Sequence, residues 1–220
     1  MDTIYNKQLK YEKALEYEIF VKGEYNFAEK EIKNAKCIFD VWWHKWFFSK
    51  WCRTINSSTK IHYFEPVKEF YCWAQQALRD DKNVILNNYW INSESWKWTI
   101  LLNQEKTMQS SKYLSFLNPK WREVGVEFIT LREYIQQKYI DKIDVLKMDI
   151  EWMEFEVLLS RWDFERKRIG NLVIEIHLLN KKMEAEWRQI FVKIENIFWS
   201  LRIINSWYNE KIFLLRAKNE

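Results

Sequence analysis

The sequence predicts an α/β fold with a doubly wound, mostly parallel sheet that closes with an antiparallel hairpin at the C-terminus. Short apolar runs, typical of strands covered on both faces, alternate along the chain with longer segments that carry one apolar face, as surface helices do. This alternation indicates parallel strands joined by helices. The last two apolar runs have no helical segment between them, so we expect them to pair as a hairpin.

The helices are predicted from segments with a single apolar stripe. The first, residues 5–20, mixes apolar and charged residues and should precede the sheet. Thr130 with Glu133 three positions later has the spacing of a capping box, which favours a helix within residues 128–139. The other predicted helices are residues 47–54, residues 68–79, residues 154–159 and a long helix that Asn180 caps and that ends near Phe198.

The strands are predicted from short apolar runs bounded by polar residues. Residues 38–41 form the first and are typical of a parallel strand buried on both faces. Residues 83–118 are rich in Asn, Ser and Lys, so we expect an irregular excursion or lid there, with residues 99–103 as a candidate strand. The other predicted strands are residues 61–64, 84–86, 143–150 and 172–177, and the terminal hairpin is formed by residues 201–204 and 211–216.

Composition narrows the class of protein. No apolar run approaches the ~18 residues that span a bilayer, and the N-terminus has no apolar signal-peptide core, so we expect a cytoplasmic protein without membrane contact. The net charge of +4 comes from intermixed Lys and Glu, which does not favour a nucleic-acid partner. Three cysteines lack CxxC or zinc spacing, so neither disulfides nor a metal framework is expected. The oligomeric state is not indicated.

The chain has 14 Trp and only 3 Gly in 220 residues, whereas glycine usually makes up about 7% of a protein. Trp42, Trp43 and Trp46 follow the first predicted strand at the spacing of a glycine loop, and Trp152 follows a later strand. A loop whose backbone approaches a cofactor needs residues without a Cβ. We therefore hypothesise that many of these Trp are glycines misread at translation, because UGA encodes Trp in one bacterial code and Gly in another. The alternative is a Trp-rich core.

Acidic residues stand at the ends of the predicted strands. Asp40 ends the first, Glu65 ends the second, and Asp149 with Glu151 ends a later one, so all should lie at one edge of the sheet. Glu65 follows Asp40 by 25 residues, near the ~20 typical of an acid that holds ribose hydroxyls. Alternatively, Glu65 caps the next helix. The spacing also fits a nicotinamide site, but Asp40 would repel a pyrophosphate.

Further polar residues alternate along the two late strands. Lys147, Asp149 and Glu151 are each two residues apart and should share one face of a strand. These three charged residues either have a functional role or form a salt bridge at the strand end, in which Lys147 supplies the positive charge. Glu175 and His177 have the same spacing on the next strand, and a strand-end histidine is either structural or a base for an acceptor hydroxyl.

These segments resemble the FkbM-type family of S-adenosylmethionine-dependent methyltransferases, over roughly residues 25–216. The resemblance is carried by residues 38–41 with their loop, residues 61–66 and residues 172–177, and most specifically by I-D-V-L-K-M-D-I-E-W-M-E at residues 143–154. The family pattern there is I-D-x-L-K-x-D-x-E-G-x-E, and only the glycine position departs from it.

The resemblance implies a seven-stranded, Rossmann-like class I methyltransferase domain at residues 31–220, preceded by a helical extension at residues 1–30. It implies O-methylation of a small-molecule or glycan acceptor, such as a sugar or a secondary metabolite, and leaves a divalent metal undecided. Asp149 would lie beside the transferred methyl and, with His177, form the catalytic pair. The residues expected to bind S-adenosylmethionine are Asp40, Trp42, His44, Trp46 and Glu65.

Two other functions remain open. If the Trp are genuine, the chain is a methyltransferase-like interaction module that has lost its cofactor. A nicotinamide-dependent reductase is the third reading. The coding DNA distinguishes the active methyltransferase from the interaction module. UGA at the codons for Trp42, Trp46 and Trp152 supports the misreading hypothesis, and UGG contradicts it.

Overall fold

The computed structural model contains two β-sheets and seven α-helices in the part of the chain that it describes. That part comprises residues 4–42, 46–103, 110–111, 121–150, 154–159, 167–178, 181–198, 200–207 and 212–219. Its helices are α1 (Ile4–Phe20), α2 (Glu29–Asn34), α3 (Phe47–Ile55), α4 (Lys68–Ala77), α5 (Leu131–Gln137), α6 (Glu154–Leu159) and α7 (Lys181–Ile197), with a 3₁₀ turn at Asn26–Ala28. Its strands are β1 (Cys37–Trp42), β2 (Lys60–Phe64), β3 (Val84–Asn87), β4 (Trp90–Asn92), β5 (Lys97–Asn103), β6 (Ser110–Ser111), β7 (Trp121–Thr130), β8 (Ile143–Asp149), β9 (Ile169–His177), β10 (Ser200–Trp207) and β11 (Ile212–Lys218).

The main sheet has seven strands in the order β10-β11-β9-β8-β1-β2-β3. Strands β1, β2, β3, β8 and β9 run parallel, whereas β11 runs antiparallel to both β10 and β9. The predicted doubly wound sheet with its C-terminal hairpin is therefore confirmed. The strand order reverses between β1 and β8, and such a reversal opens a crevice at the carboxyl ends of the two strands.

A second sheet, in the order β4-β7-β5-β6, was not predicted. The segment expected to be irregular supplies β4, β5 and β6. Residues 121–127 of β7 pair with β5, and residues 128–130 pair with β4. Residues 128–130, which open the segment predicted to contain a helix capped by Thr130, are the end of β7. The alternation of buried and exposed residues that marks this end of β7 as a strand was not recognised in the sequence. Val126 and Phe128 are buried on one face, while Glu127 is partly exposed on the other.

Helix α5 begins where β7 ends, at the predicted cap. The Thr130 hydroxyl accepts a hydrogen bond from the backbone N–H of Glu133 at 3.1 Å, and the Thr130 backbone N–H donates to the Glu133 carboxylate at 3.3 Å. Both halves of the capping box are present, so this part of the helix prediction is confirmed.

Apolar side chains pack on both faces of the main sheet. On one face, Ile38 of β1 packs in a cluster with Ile19 and Tyr25 from the N-terminal segment and with Trp51 of α3. On the other face, Phe39 packs with the side chains of α5 and the second sheet. Burial of β1 on both faces explains its nearly continuous apolar sequence. Within the described ranges, no helix is long and apolar enough to cross a membrane.

The described Trp occupy different environments. Trp51 is only 5% exposed, and its ring lies 5.7 Å from that of Phe48 and 6.1 Å from that of Tyr25. Trp90 is buried and stacks on Phe128. Among described non-glycine residues, only Tyr139 has a left-handed φ, so the backbone conformations at residues 42 and 46 do not require glycine. The glycine hypothesis thus depends on the space that a ligand needs, not on backbone strain.

Candidate functional site

The carboxyl ends of β2, β1 and β8, which are neighbours in the sheet, carry the candidate site. Asp40 of β1 is in register with Lys147 of β8 on one side and with Tyr63 of β2 on the other. Asp149 is in register with Trp42 at the end of β1. The site thus flanks the point where the strand order reverses, where open α/β sheets bind their ligands.

Asp40 is a buried carboxylate held by the following helix. Strand β1 continues to Trp42, so Asp40 lies two residues before the strand end and not at it as predicted. Its Oδ2 accepts a hydrogen bond from the Ser49 hydroxyl of α3 at 2.5 Å, and its Oδ1 has no hydrogen-bond partner among the described residues. Burial raises the pKa of Asp40 to about 6, against the opposing effects of Lys147 and Ser49. One carboxylate oxygen is therefore available to a donor from a ligand.

Glu65 follows β2 and is fully buried. Its Oε1 accepts a hydrogen bond from the backbone N–H of Val67 at 2.8 Å, just before α4 begins at Lys68. This bond matches the helix-capping alternative in part. A carboxylate can accept about four hydrogen bonds, so the contact does not use up its capacity. Glu65 is thus held in place at the carboxyl edge of the sheet.

Lys147 and Asp149 form an ion pair within β8. Lys147 Nζ lies 3.4 Å from Asp149 Oδ2, and both side chains are buried. They share a face of the strand, as their spacing predicted. The salt bridge that the sequence offered as an alternative is therefore present. It places a buried cation beside the carboxylate of Asp149.

Glu24 reaches the same region from the segment after α1, and no pattern in the sequence indicated it. Burial raises the pKa of Glu24 to about 7, with further upward contributions from Glu175, Glu18 and Asp149 and an opposing one from Lys147. Gly23, whose φ of 70° few other residues adopt, makes the turn that precedes it. The N-terminal segment thus adds a carboxyl group with a pKa near neutrality to this cluster of charges.

Asn87 and Asn88 lie at the same edge and were also missed. The Asn88 side chain donates to the carbonyl oxygens of Glu65 at 2.8 Å and Pro66 at 2.9 Å. Asn87 is the last residue of β3, and the backbone N–H of Glu65 donates to its carbonyl oxygen at 3.0 Å. Both follow the apolar run predicted as residues 84–86. Glu65 was selected because it follows a predicted strand, and the same criterion could have found these two residues.

Glu154 begins α6 and is fully buried. Its Oε1 accepts a hydrogen bond from the backbone N–H of Ile150 at 3.1 Å, which joins the residue after β8 to the start of the helix. This bond holds the start of α6 close to the carboxyl end of β8.

Trp46 precedes α3, and its carbonyl oxygen accepts from the backbone N–H of Lys50 at 3.0 Å. Its side chain is partly buried and packs against the small cluster that contains Tyr63. Two other predicted residues, Trp42 and His177, are described by backbone alone, at the ends of β1 and β9. The predictions for His44, Trp43, Glu151 and Trp152 lie outside the described residues.

Of the predicted site residues, the structure brings Asp40, Glu65 and Asp149 to neighbouring strand ends, with Trp46 beside them. Among the described residues, no group of three or more His, Cys, Asp or Glu could hold a metal ion.

The sequence profile of the methyltransferase FkbM domain matches residues 40–198. Among curated proteins, none shows significant sequence similarity to the chain. Of the solved structures, a methyltransferase FkbM from Methylobacillus flagellatus KT superimposes with a TM-score of 0.55 at 10% identity, covering 83% of this chain and 43% of that one. The N-terminal domain of EvdMO1, in the presence of SAH and D-fucose, has a TM-score of 0.47 at 9% identity, covering 89% of this chain and 80% of that one.

At such identities a structural likeness shows the fold alone. This chain spans less than half the length of the Methylobacillus flagellatus protein. The family assignment therefore depends on the sequence profile, which covers Asp40, Glu65 and the whole of the motif at residues 143–154.

Proposed function

Since the chain belongs to the FkbM methyltransferase family, we propose that it transfers the methyl group of S-adenosylmethionine to a hydroxyl oxygen of a sugar or secondary metabolite. The observation that carries the proposal is the pair of buried carboxylates, Asp40 and Glu65, on the neighbouring strands β1 and β2. Buried carboxylates are costly unless they are paired or have a use.

The described acids fit the polar groups of the cofactor. Asp40 Oδ1, which has no partner among the described residues, would accept from the cofactor's ammonium group. Glu65, positioned by the Val67 N–H, would accept from the ribose hydroxyls. When bound, S-adenosylmethionine supplies a methyl group that is already activated for in-line displacement, so the protein has mainly to align the acceptor.

The proposal assigns the acceptor to Asp149 and His177, at the ends of β8 and β9. Asp149, held beside Lys147, would orient the acceptor hydroxyl. His177 would take its proton, since a hydroxyl acceptor must lose one during transfer. A divalent ion at these residues is an alternative way to lower the pKa of the hydroxyl.

A second candidate is a cofactor-less interaction module, and the packing of Trp46 favours it. Its ring fills space beside the cluster of Tyr63 and Ala74, next to the crevice where a cofactor would lie. Trp side chains bury roughly 150–250 Å², so genuine Trp at residues 42, 43 and 46 would compete with a ligand.

Calorimetry on two versions of the chain tests the two candidates. With Gly at positions 42, 43, 46 and 152, the protein should bind S-adenosylmethionine, whereas the chain with Trp should bind it much more weakly. Equal affinity would contradict the misreading hypothesis. Binding by neither version would support the interaction module.

Substitution of Glu65 tests the ribose contact in the version with Gly. Glu65→Ala should weaken cofactor binding by roughly 1–3 kcal/mol, the scale of a hydrogen bond to a charged group, and Glu65→Gln should weaken it less. Glu69→Ala is the matched control, because Glu69 lies on α4 and pairs with Arg122 at the surface. If all three variants bind S-adenosylmethionine as tightly as the parent with Gly, Glu65 only caps the helix.

Substitution of the acceptor residues separates chemistry from binding. Asp149→Asn and His177→Ala should leave cofactor affinity nearly unchanged and lower turnover by about 10² or more, the scale of a positioned general base. In the same assay, loss of activity on chelation and its recovery with Mg or Mn would identify these side chains as ligands. Near-parental turnover in both variants would place the acceptor elsewhere.

A further inference from the structure

A cavity of about 770 Å³ opens at the amino ends of the strands, at the other end of the sheet from Asp40 and Glu65. It is lined by the first residues of β1 and β2, by the start of β8 and by the segment that follows α5. Its volume is within the range of small-molecule sites, about 300–1,000 Å³. The proposed methyl transfer makes no use of it.

Four lysines, Lys36, Lys60, Lys138 and Lys142, line this cavity and are called the lysine group below. Lys142 pairs with Asp144 at 3.2 Å. Among the described residues, Lys36 and Lys60 have no carboxylate within ion-pair distance. The lysine group is thus only partly neutralised and favours an anionic ligand.

Two acids, Asp141 and Asp144, line the cavity against four lysines, so they offset only part of its positive charge. Asp144 Oδ2 already accepts from the backbone N–H groups of Lys36 at 2.8 Å and Cys37 at 3.0 Å. Asp141 is exposed to solvent at the rim. The local balance therefore stays positive.

His62 lines the same cavity but is 97% buried, and its hydrogen bonds determine its tautomer. The Asn87 side-chain amide donates to the carbonyl oxygens of Tyr63 and Ile85, which makes Asn87 Oδ1 an acceptor. The Tyr134 hydroxyl donates its one proton to that oxygen at 2.9 Å. His62 Nδ1, at 2.7 Å from the same hydroxyl, must then be the donor.

His62 Nε2 is consequently a hydrogen-bond acceptor. Among the described residues, no donor reaches it. Burial, together with Lys60 and Lys138, lowers the pKa of His62 to about 4, so the ring is neutral at physiological pH. A ligand in this cavity would meet an acceptor beside the cations of the lysine group.

An exposed aromatic side chain completes the lining. Tyr139 follows α5, is 92% exposed and holds a left-handed φ of 53°. This conformation ends α5, because the Ile140 N–H donates to the Ile135 carbonyl oxygen at 3.0 Å, and it turns the Tyr139 side chain outward at the cavity. The Tyr139 ring offers a free face on which a flat group can stack.

We propose that this cavity binds a nucleoside phosphate, with the phosphate at the lysine group and an N–H of the base donating to His62 Nε2. The base would stack on Tyr139. This ligand uses the cations, the acceptor and the aromatic ring together, whereas inorganic phosphate uses only the cations. The inference is independent of the proposed methyl transfer.

Calorimetric titration of the whole chain with GMP tests the proposal. Guanine carries amino and ring N–H donors, and it is not the base of S-adenosylmethionine. We expect saturable binding at about 150 mM salt, where loose surface attraction is screened. Inorganic phosphate should bind more weakly, and excess S-adenosylmethionine should not displace GMP.

Three variants complete the test. The double variant Lys60→Glu/Lys138→Glu should weaken GMP binding by at least about tenfold, and His62→Phe should weaken GMP binding but not phosphate binding. Lys13→Glu, at an exposed lysine outside the cavity, should change nothing. Melting temperatures check that each variant is folded.

Three results would overturn the proposal: no GMP binding up to about 1 mM, displacement of GMP by S-adenosylmethionine, or equal weakening by Lys13→Glu. If His62→Phe does not fold, the lysine variants and the competition experiment still decide the outcome.

Discussion

Asp40 and Lys147 lie opposite each other on neighbouring strands, and neither side chain reaches solvent. Lys147 lowers the pKa of Asp40, but burial outweighs it. The same ammonium group lies 3.4 Å from Asp149 Oδ2. One buried cation therefore stabilises two carboxylates at the carboxyl edge of the sheet, and its removal should affect both.

Lys147→Met should lower the free energy of unfolding by about 3–5 kcal/mol at pH 8, because it leaves carboxylates buried without their counter-charge. The loss should be smaller at pH 5, where Asp40 is protonated. Urea unfolding at the two pH values measures the difference. Lys142→Met is the matched control, since the pair of Lys142 with Asp144 is solvent-exposed and worth about 1 kcal/mol or less. Similar losses in the two variants would contradict the role given to Lys147.

Asp40 and Glu24 should make the protein less stable as the pH rises. Their folded-state pKa values, about 6 and about 7, lie above the ordinary values of these groups, 3.8 and 4.5. The folded state therefore binds more protons between about pH 4 and pH 7, and the stability contributed by these groups is lost as the pH rises through that range.

Glu24→Gln isolates one of these groups. Urea unfolding at pH 5 and pH 8 should show a smaller loss of stability in this variant than in the parent, by an amount on the order of 3 kcal/mol. Glu29→Gln, at an exposed position on α2, should behave like the parent. If Glu24→Gln has the same pH dependence as the parent, Glu24 is not buried in solution.

Tyr139→Gly should raise the free energy of unfolding by about 1 kcal/mol, because a left-handed φ of 53° strains a residue with a Cβ. Urea unfolding measures the change. Lys138→Gly is the control at the neighbouring position, where φ is −98°; there glycine only increases the freedom of the unfolded chain, so stability should fall. A loss of stability in Tyr139→Gly would show that this tyrosine makes contacts that outweigh its strain.

Trp51→Gly and Trp46→Gly should differ sharply. Trp51 is buried within α3 against Tyr25 and Phe48, so its loss should cost about 3–5 kcal/mol for the cavity and about 1 kcal/mol more for glycine in a helix. Trp46 is the N-cap of α3 and makes no side-chain capping bond, and glycine is acceptable there. Trp46→Gly should therefore lose only the partial packing of its ring against the Tyr63 cluster, and its loss of stability in urea unfolding should be clearly smaller than that of Trp51→Gly.

The codons of these Trp residues provide a second test of which of them are genuine. We expect UGG for Trp51 and for Trp90, which is also in the core, and UGA for the loop residues Trp42, Trp46 and Trp152. UGA at the core positions would mean that the native core lacks these rings and packs differently.

The order of the main-sheet strands and of most helices between them could be read from the sequence, because each of these elements has a local cause. Mainly apolar runs of three to eight residues marked the buried parallel strands, and Thr130 with Glu133 marked the start of α5. The strand-end rule brought Asp40, Glu65 and Asp149 to one edge for the same reason, since parallel strands share their carboxyl edge.

The tertiary structure alone decided which distant segments meet. The pairing of β7 with β4 and β5 joins segments whose patterns are weak when taken singly. The charges around Lys147 include Glu24, which lies more than a hundred residues away along the chain. The hydrogen bonds that make His62 Nε2 an acceptor join β2, β3 and α5. Burial and hydrogen bonding of this kind depend on neighbours in space, so local periodicity carries no record of them.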